Sequence, residues 1–303
     1  ASARWNVVDV SEVCSSEDAN RIEVHTAQAL PDCSIDSPWV IMFTSGTTSG
    51  RKKGAVRSQR GSIEGFFNHL SDMRFDSSDR YLAIYPMHGV STFFFSMMTL
   101  YFGGECVLLP RAAAGDGTML LTALEIYSIT YTTGGPSHFL SVIDRAEAAQ
   151  SAFRAPALRQ LLVSGAMTSK STQARICSFF RHTSFFEVYG STECGMITML
   201  NPEASQRKPG SVGLEPPGVE LLEFLDPTSG DRVAGTKDEP GEILARTPMM
   251  ILEYWQKPEL TAASFTAEGL FRTGDMGYKD DDGFLFLLGR ADDRLTLASG
   301  LSF

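Results

Sequence analysis

The chain has 303 residues, enough for about two domains with a substantial buried core. Hydrophobic residues make up 43% and charged residues 20% of it, as is typical of globular proteins. Its 26 Lys and Arg against 36 Asp and Glu give a formal net charge of −10, which excludes the broad basic surface that nucleic-acid binding needs. A nucleotide remains compatible with this charge, because one local cation cluster and a divalent ion suffice for its phosphates.

Cysteine usage and hydropathy favour an intracellular protein without a membrane span. The five cysteines form no C-x-x-C pair and are odd in number, which favours reduced thiols. The most apolar run, residues 90–102, is shorter than the ~20 residues that cross a bilayer. The opening residues show no signal-peptide pattern, so we predict a cytoplasmic location. The sequence does not begin with Met, which indicates a processed chain or an excised piece.

From about residue 38, short apolar runs alternate with longer amphipathic runs. The predicted strands are WVIMFTS, YLAIYPM, ECVLLP, ITYTTGG, LRQLLVSG and SFFEVYG. The predicted helices between them are GVSTFFFSMMTLYFGG, MLLTALEIYS, SHFLSVIDRA and STQARICSFFRH. Apolar strands separated by helices predict βαβ units, and hence an α/β fold with a parallel sheet flanked by helices.

The composition changes near Pro209, where Pro, Gly and Asp become frequent and helical periodicity ends. Short strands between such turn residues predict a small β-rich, barrel-like subdomain. The predicted organisation is therefore a lead-in segment over residues 1–36, an α/β subdomain over residues 37–208 and the β-rich subdomain over residues 209–288.

Polar segments follow several of the predicted strands directly. They are residues 44–50, His88, residues 164–166 and residues 189–193. In open parallel sheets, ligands bind beyond the carboxyl ends of the strands. We therefore expect these segments to contribute to one ligand site.

Residues 43–58 read FTSGTTSGRKKGAVRS, a loop rich in hydroxyls and glycine that is followed by cations. Only three residues separate Gly46 from Gly50, so the loop is not a Walker A motif. The groups suited to a β/γ-phosphate are the amides and hydroxyls of Thr44, Ser45, Gly46, Thr47 and Thr48, with the ammonium group of Lys53. A solvated Gly/Ser turn has the same composition, so the loop alone does not decide between the two interpretations.

Three further segments carry groups suited to a nucleotide. In EVYGSTECG, Tyr189 is suited to stack on a purine, Thr192 to reach a phosphate and Glu193 to hold Mg²⁺. In FRTGDMG, Asp275 on a tight turn is suited to accept from a ribose diol, and in GRADD, Arg290 offers a fork of donors for ribose or phosphate oxygens. Each segment taken alone is equally typical of a polar turn.

Together, in this order, TSGTTSGRKKG, VSGAM, YGSTE, RTGD and GRADD resemble the motifs of the adenylate-forming superfamily. This superfamily includes acyl- and aryl-CoA synthetases, luciferases and the adenylation domains of peptide synthetases. The resemblance implies that residues 44–48 bind phosphates and that Thr192 meets the α-phosphate, while Glu193 ligates Mg²⁺. It places the following residues around the adenosine: Ser164, Gly165, Ala166, Tyr189, Gly190, Asp275 and Arg290. It also implies that Asp292 is a hinge within residues 289–303.

The sequence departs from the family pattern at several positions. The phosphate loop is one residue longer and has Lys52 where the family favours Pro. Ala166 replaces the second Gly of Ser-Gly-Gly, and Thr296 stands where a Lys is frequent. The resemblance covers the second half of the family's large domain, so we expect both its N-terminal part and the C-terminal lid, which carries a catalytic Lys, to be missing.

The resemblance implies attack of a carboxylate on the α-phosphorus of ATP, followed by transfer of the acyl group to CoA or to a carrier-protein pantetheine. His88 resembles a residue that lines the acid site, although a capped histidine at a strand end explains it almost equally well. Phe93, Phe94 and Phe95 favour an apolar or aromatic acid, since no Asp or Glu lies between Asp79 and Glu105 to face an ammonium group, although core packing explains most of these side chains better. The alternatives are an adenylation domain that serves a carrier protein or reductase, and a nucleotide-binding module without turnover.

Overall fold

The computed structural model describes residues 34–44, 53–70, 72–110, 115–150 and 155–291. The described residues from Ile35 onward belong to one compact unit. The predicted lead-in segment thus lies almost entirely outside the described residues. None of the helices described is long and apolar enough to cross a membrane.

Strands and helices alternate in the first half of the described chain, and strands dominate the second half. The strands are β1 (Pro38–Thr44), β2 (Lys53–Ser58), β3 (Arg80–Ala83), β4 (Glu105–Leu108), β5 (Tyr131–Gly134), β6 (Gln160–Ser164), β7 (Ser184–Ser191), β8 (Gly195–Leu200), β9 (Leu221–Leu225), β10 (Arg232–Val233), β11 (Gly241–Arg246), β12 (Glu253–Tyr254), β13 (Phe271–Lys279) and β14 (Leu285–Arg290). The helices are α1 (Gln59–Leu70), α2 (Val90–Tyr101), α3 (Gly117–Ile126), α4 (Pro136–Ala148), α5 (Lys170–Phe179), α6 (Pro202–Arg207) and α7 (Pro258–Ala263).

A six-stranded sheet in the order β4-β3-β5-β6-β7-β8 forms the centre of the fold. Its first five strands are parallel, and β8 runs antiparallel to β7 at the edge. Helices α2 to α5 connect the parallel strands, so the predicted α/β fold with a parallel sheet is confirmed. Asp116 is the N-cap residue of α3, and its side chain accepts hydrogen bonds from the backbone amides of Thr118 and Met119.

Alternating side chains of the parallel strands build two separate cores. On β6, Leu161 and Val163 face a cluster that includes Leu120 and Ile143 from α3 and α4. Leu162, between them, belongs to the opposite cluster. Because side chains alternate along a strand, an apolar run buried on both faces predicts such a central strand.

Two antiparallel sheets complete the described chain. One has five strands in the order β10-β9-β11-β13-β14, in agreement with the predicted β-rich segment. The other has three strands in the order β1-β2-β12. The boundary at residue 208 between two subdomains stays a prediction.

The strand WVIMFTS was predicted within the parallel sheet, and this prediction is wrong. It forms β1, whose Thr44 pairs antiparallel with Lys53 of β2 in the three-stranded sheet. Neither β2 nor α1 was predicted from the sequence. The reason is that β1 is followed by a second strand rather than by a crossover helix, so the residues that predict a phosphate loop lie between two antiparallel strands.

Glu187 is a carboxyl group buried in the central sheet on β7, with a side chain only 3% exposed. Within the described part of the chain it forms no ion pair. Burial raises the pKa of Glu187 to about 7, because the ionised form loses its hydration.

We predict that Glu187→Gln stabilises the protein more at pH 8 than at pH 5. The folded-state pKa lies above that of an unfolded Glu, so ionisation destabilises the native protein progressively as pH rises from about 4.5 to about 7. The gain at pH 8 should exceed that at pH 5 by on the order of 2 kcal/mol in urea unfolding. Glu220→Gln, at an exposed carboxyl, is the control. Equal gains at both pH values would contradict this assignment.

Candidate functional site

A cleft of about 260 Å³ opens at the carboxyl ends of β6 and β7. Its apolar wall consists of Phe94, Phe95, Leu162, Val188, Met196 and Met249. Its polar rim consists of Ser164, Gly165, Gly190, Ser191 and Thr192. Four of these rim residues, Ser164, Gly165, Gly190 and Thr192, are among the predicted site residues, so the structure brings these four together in one cleft.

The turn after β6 is fixed by a glycine and a tyrosine. Gly165 has φ +85°, and a Cβ there would lie 3.2 Å from the Tyr85 hydroxyl. That hydroxyl donates to the Ser164 carbonyl at 3.2 Å. The left-handed conformation at Gly165 therefore turns the chain at the rim of the cleft, and Ala166 follows in an exposed position.

The hairpin of β7 and β8 places Thr192 and Glu193 at its tip. Gly190 lies against the Gly195 carbonyl so closely that a Cβ would be 2.1 Å from that oxygen. The β7–β8 pairing shifts register between Tyr189 and Gly190. The Ser191 hydroxyl then accepts the Cys194 amide at 3.0 Å, which closes the turn.

Glu193 is held from two sides. The Tyr254 hydroxyl of β12 donates to Glu193 Oε1 at 2.6 Å, and the Ile251 amide donates to the Glu193 carbonyl at 2.8 Å. Burial, and then the neighbouring Glu193 carboxylate, raise the pKa of Tyr254, so its hydroxyl stays a donor. The Lys53 ammonium lies 5.3 Å from the centroid of the Tyr254 ring.

The described residues contain no group of three or more His, Cys, Asp or Glu that would hold a metal by themselves. A single carboxylate such as that of Glu193 suits Mg²⁺, which keeps several waters and takes substrate phosphates as its other ligands. The donor set therefore fits Mg²⁺ only together with a polyphosphate.

Asp275 was expected on a tight turn, and this is wrong. It lies within β13, opposite Arg290 of β14. Gly274, at φ +71°, accommodates an irregularity in the pairing of β13 with β11 and does not reverse the chain. A Gly-Asp pair therefore marks a bulged strand here.

Both oxygens of the Asp275 carboxylate are positioned by hydrogen bonds. Arg290 Nη1 donates to Oδ1 at 2.9 Å and also to the Thr273 carbonyl at 3.0 Å. The Tyr189 hydroxyl donates to Oδ2 at 2.8 Å. A carboxylate has about four lone-pair sites, so each oxygen still accepts a further hydrogen bond.

The Tyr189 ring is mostly buried. It is 8% exposed and packs in a cluster with Cys194, Ile197 and Ile243. Burial is the main cause that raises the pKa of its hydroxyl, with the Asp275 carboxylate as a second cause. Tyr189 therefore positions Asp275, whereas its stacking on a purine stays a prediction.

Other predicted site residues lie apart from these contacts or outside the described residues. Ser45, Gly46, Thr47, Thr48 and Asp292 are not described, although Thr44 and Lys53 pair at the ends of β1 and β2. His88 is exposed in the turn before α2, two residues ahead of Val90, which does line the cleft.

Three polar side chains of the site were not predicted from the sequence: Arg57, His69 and Tyr254. Arg57 and His69 line the cleft, and both are buried. His69 Nδ1 donates to the Gly65 carbonyl at 2.7 Å, and burial lowers the pKa of the ring, so it is neutral and Nε2 is an acceptor. The available signal was the cation at the end of a strand of small and apolar residues, KGAVRS.

The profile of a family described as "AMP-binding enzyme" matches residues 3–255. A malonate–CoA ligase of Arabidopsis thaliana is 32% identical over an alignment of 271 residues, which covers 84% of this chain and 43% of that protein. A 4-chlorobenzoate–CoA ligase of an Arthrobacter species is 28% identical over 91% of this chain and 51% of its own length. The chain thus spans about half the length of these curated relatives.

Solved structures give the same correspondence. ATP-bound MatB from Rhodopseudomonas palustris is similar to this chain with a TM-score of 0.77 and 28% identity, covering 91% of this chain and 52% of that one. The O-succinylbenzoate coenzyme A synthetase of Bacillus subtilis in complex with AMP is similar in fold, with a TM-score of 0.73 and 24% identity over 86% of this chain and 51% of that one.

We predict that Gly274→Ala destabilises the protein more than Gly230→Ala. Both glycines have positive φ, +71° and +80°, so both substitutions cost about 1 kcal/mol of backbone strain. At Gly274 the new Cβ would lie 2.6 Å from Arg290 Nη2, whereas nothing lies within 4 Å at Gly230. Because the partly exposed Arg290 must leave Asp275, we expect an excess loss of about 1 kcal/mol in urea unfolding. Equal losses would show that the Arg290–Asp275 contact does not depend on Gly274.

Proposed function

Because the chain belongs to the AMP-binding enzyme family, we propose that it activates a carboxylic acid with ATP. The products are an acyl-adenylate and pyrophosphate, and the acyl group then passes to the thiol of CoA or of a carrier-protein pantetheine. The CoA ligases among its relatives support CoA as the acceptor. We place the reaction in the cytoplasm.

The observation that carries the proposal is that strand β7 contributes to two neighbouring groups of residues. One is the hydrogen-bonded cluster of Tyr189, Asp275 and Arg290, which suits a nucleoside, and the other is the cleft, which suits a carboxylic acid. The Tyr189 hydroxyl donates to Asp275, to which Arg290 also donates, whereas Val188 and Gly190 of the same strand line the cleft. A strand presents successive side chains on opposite faces, so one strand serves both ligands. The bond to be made, between an acid oxygen and the α-phosphorus, would form near the tip of this strand.

Each nucleotide contact has a proposed residue. Asp275 accepts both ribose hydroxyls, assisted by Arg290, while residues 164–166 and Tyr189–Gly190 border the adenine. Thr44 to Thr48 and Lys53 bind the phosphates, and Thr192 contacts the α-phosphate. Glu193 holds Mg²⁺, which would supply charge neutralisation on the phosphate oxygens.

The chain's own residues act mainly by positioning. The acid carboxylate attacks the α-phosphorus, the bond to the bridging pyrophosphate oxygen breaks, and no protein nucleophile is required. Transfers at phosphorus of this kind depend on alignment and on charge stabilisation. The buried hydrogen bonds of Tyr189 and Tyr254 support this role, because they hold Asp275 and Glu193 in place before the ligand arrives.

The cleft favours an acid with an apolar part. Phe94, Phe95 and Met249 contribute to its apolar wall. Phe93 instead packs against Trp39, with 5.7 Å between the ring centroids. The described residues that line the cleft include no Asp or Glu to face an ammonium group, which argues against an amino-acid substrate. His88, in the turn before α2, is a further residue that we propose to contact the acid. The alternatives are an adenylation domain of a peptide-synthetase-like or carboxylate-reductase enzyme, and a nucleotide-binding module without turnover.

Acid-dependent exchange of labelled pyrophosphate into ATP tests the proposal. The assay uses the full natural protein with Mg²⁺, ATP and a panel of aliphatic, aromatic and amino acids. We expect exchange with at least one acid that has an apolar part and none with amino acids. Tight AMP binding without exchange for any acid would instead support the module without turnover.

We predict that Asp275→Asn weakens AMP binding by roughly 10- to 100-fold, because a hydrogen bond to a charged acceptor contributes ~1.5–3 kcal/mol. Tyr189→Phe, which removes one of the bonds that hold Asp275, should weaken binding less. Tyr278→Phe, on the same strand β13, is the matched control and should leave the affinity unchanged. Calorimetry measures all three, and an unchanged affinity in Asp275→Asn would exclude the ribose assignment.

We predict that Glu193→Gln weakens Mg·ATP binding by roughly tenfold or more, because a hard divalent cation prefers a charged carboxylate. Binding of AMP without metal should stay within about twofold, since Gln still accepts from Tyr254. Titrations with Mg·ATP and with AMP in the absence of metal separate the two effects. An equal loss for metal-free AMP would point to a purely structural carboxylate.

A further inference from the structure

Arg57 is a cation buried within the apolar part of the cleft. It ends the run of small side chains on β2, and only 2% of it is exposed. Its guanidinium carbon lies 5.8 Å from the centroid of the Phe94 ring, on the wall formed by α2. Among the described lining residues it is the one permanently charged side chain, since His69 is neutral.

The protein satisfies little of this guanidinium group. Arg57 Nη1 donates to the Thr192 carbonyl at 2.9 Å, whereas Nε has no acceptor among the residues that the structure describes. Arg57 also forms no salt bridge within them. The nearby Glu193 carboxylate has one oxygen engaged by Tyr254. Burial lowers the pKa of Arg57 to about 10, so the group remains charged at neutral pH.

A buried cation without an ion pair is costly, and an anion that enters the cleft removes part of that cost. A carboxylate is the best match, because guanidinium N–H groups bind it as a planar fork. Building on the proposed function, we propose that Arg57 is a specificity-determining residue that binds a second carboxylate of the substrate. The substrate class is then a dicarboxylic acid whose middle part contacts the apolar wall.

Two other anions fit Arg57 less well. The carboxylate that attacks ATP loses its negative charge in the reaction, so a strong ion pair with it would stabilise the ground state and oppose attack. The ATP phosphates are assigned to the loop that Thr44 and Lys53 flank and to Thr192. The Arg57 guanidinium lies against the Phe94 ring of the apolar wall, and its Nη1 is engaged by the Thr192 backbone carbonyl. A second carboxylate keeps its charge from the ground state to the adenylate.

The first arm of the test uses the full natural protein without substitution. Pyrophosphate exchange is measured with straight-chain dicarboxylic acids of three to six carbons, and with the monomethyl ester of each. The ester retains one reactive carboxylate and nearly the same shape. We expect kcat/KM for at least one diacid to exceed that of its ester by about 30-fold or more, as for a buried charge pair. Exchange with esters as fast as with diacids would overturn the inference while leaving the proposed function standing.

The second arm compares Arg57→Met and Arg57→Lys. Met should bring the diacid-to-ester ratio close to one, and Lys should restore part of it, because it keeps the charge without the planar fork. Arg74→Met, at an exposed arginine near the amino ends of the parallel strands, is the control and should keep the parental ratio. An Arg57 that only supports the Thr192 turn would lower both rates equally and leave the ratio unchanged, which would also overturn the inference. Absence of exchange with every acid would instead count against the proposed function.

Discussion

The close approach of two backbones at Gly190 is the constraint on which the site depends. A side chain there would meet the Gly195 carbonyl at 2.1 Å, so the tight β7–β8 hairpin requires glycine at this position. The hairpin carries Thr192 and Glu193 at its tip. The residue before Gly190 is Tyr189, whose hydroxyl donates to Asp275 on β13. The register shift between Tyr189 and Gly190 thus affects the position of residues at both the phosphate end and the ribose end of the proposed site.

The three sheets each contribute one part to this site. The central sheet supplies the cleft beyond β6 and β7, as expected for open parallel sheets. The five-stranded sheet positions Asp275 against Arg290, and the three-stranded sheet supplies Tyr254 to Glu193 and Arg57 to the cleft. The site is therefore assembled from elements far apart in the chain, and its buried donors hold the carboxylates before any ligand binds.

The alternation of apolar strands with amphipathic helices was sufficient to predict the central sheet, because period-two and helical patterns differ clearly. The antiparallel pairing of β1 with β2 was not predictable in this way, since an apolar run does not indicate whether a helix or a second strand follows it. Asp275 was misplaced for a related reason: Gly-Asp is typical of turns and of bulged strands alike.

The role that we propose for Arg57 could not be predicted from the sequence pattern. A cation beside Ser58 and Gln59 resembles a surface residue, and its burial arises from Phe94, which belongs to a helix later in the chain. Tyr254 likewise carries no local signal for its bond to Glu193. The motifs therefore indicated the residues that we propose for the nucleotide, whereas the long-range packing that holds them and shapes the proposed acid pocket required coordinates.

Isotope transfer tests the central claim, attack of the acid on the α-phosphorus, most directly. The full natural protein is incubated with Mg·ATP and an acid labelled with ¹⁸O in its carboxylate, and the adenylate is cleaved at its carbonyl carbon with hydroxylamine. Mass spectrometry should then find one ¹⁸O in AMP and none in pyrophosphate. Unlabelled AMP, or label in phosphate released from the γ-position, would contradict the account.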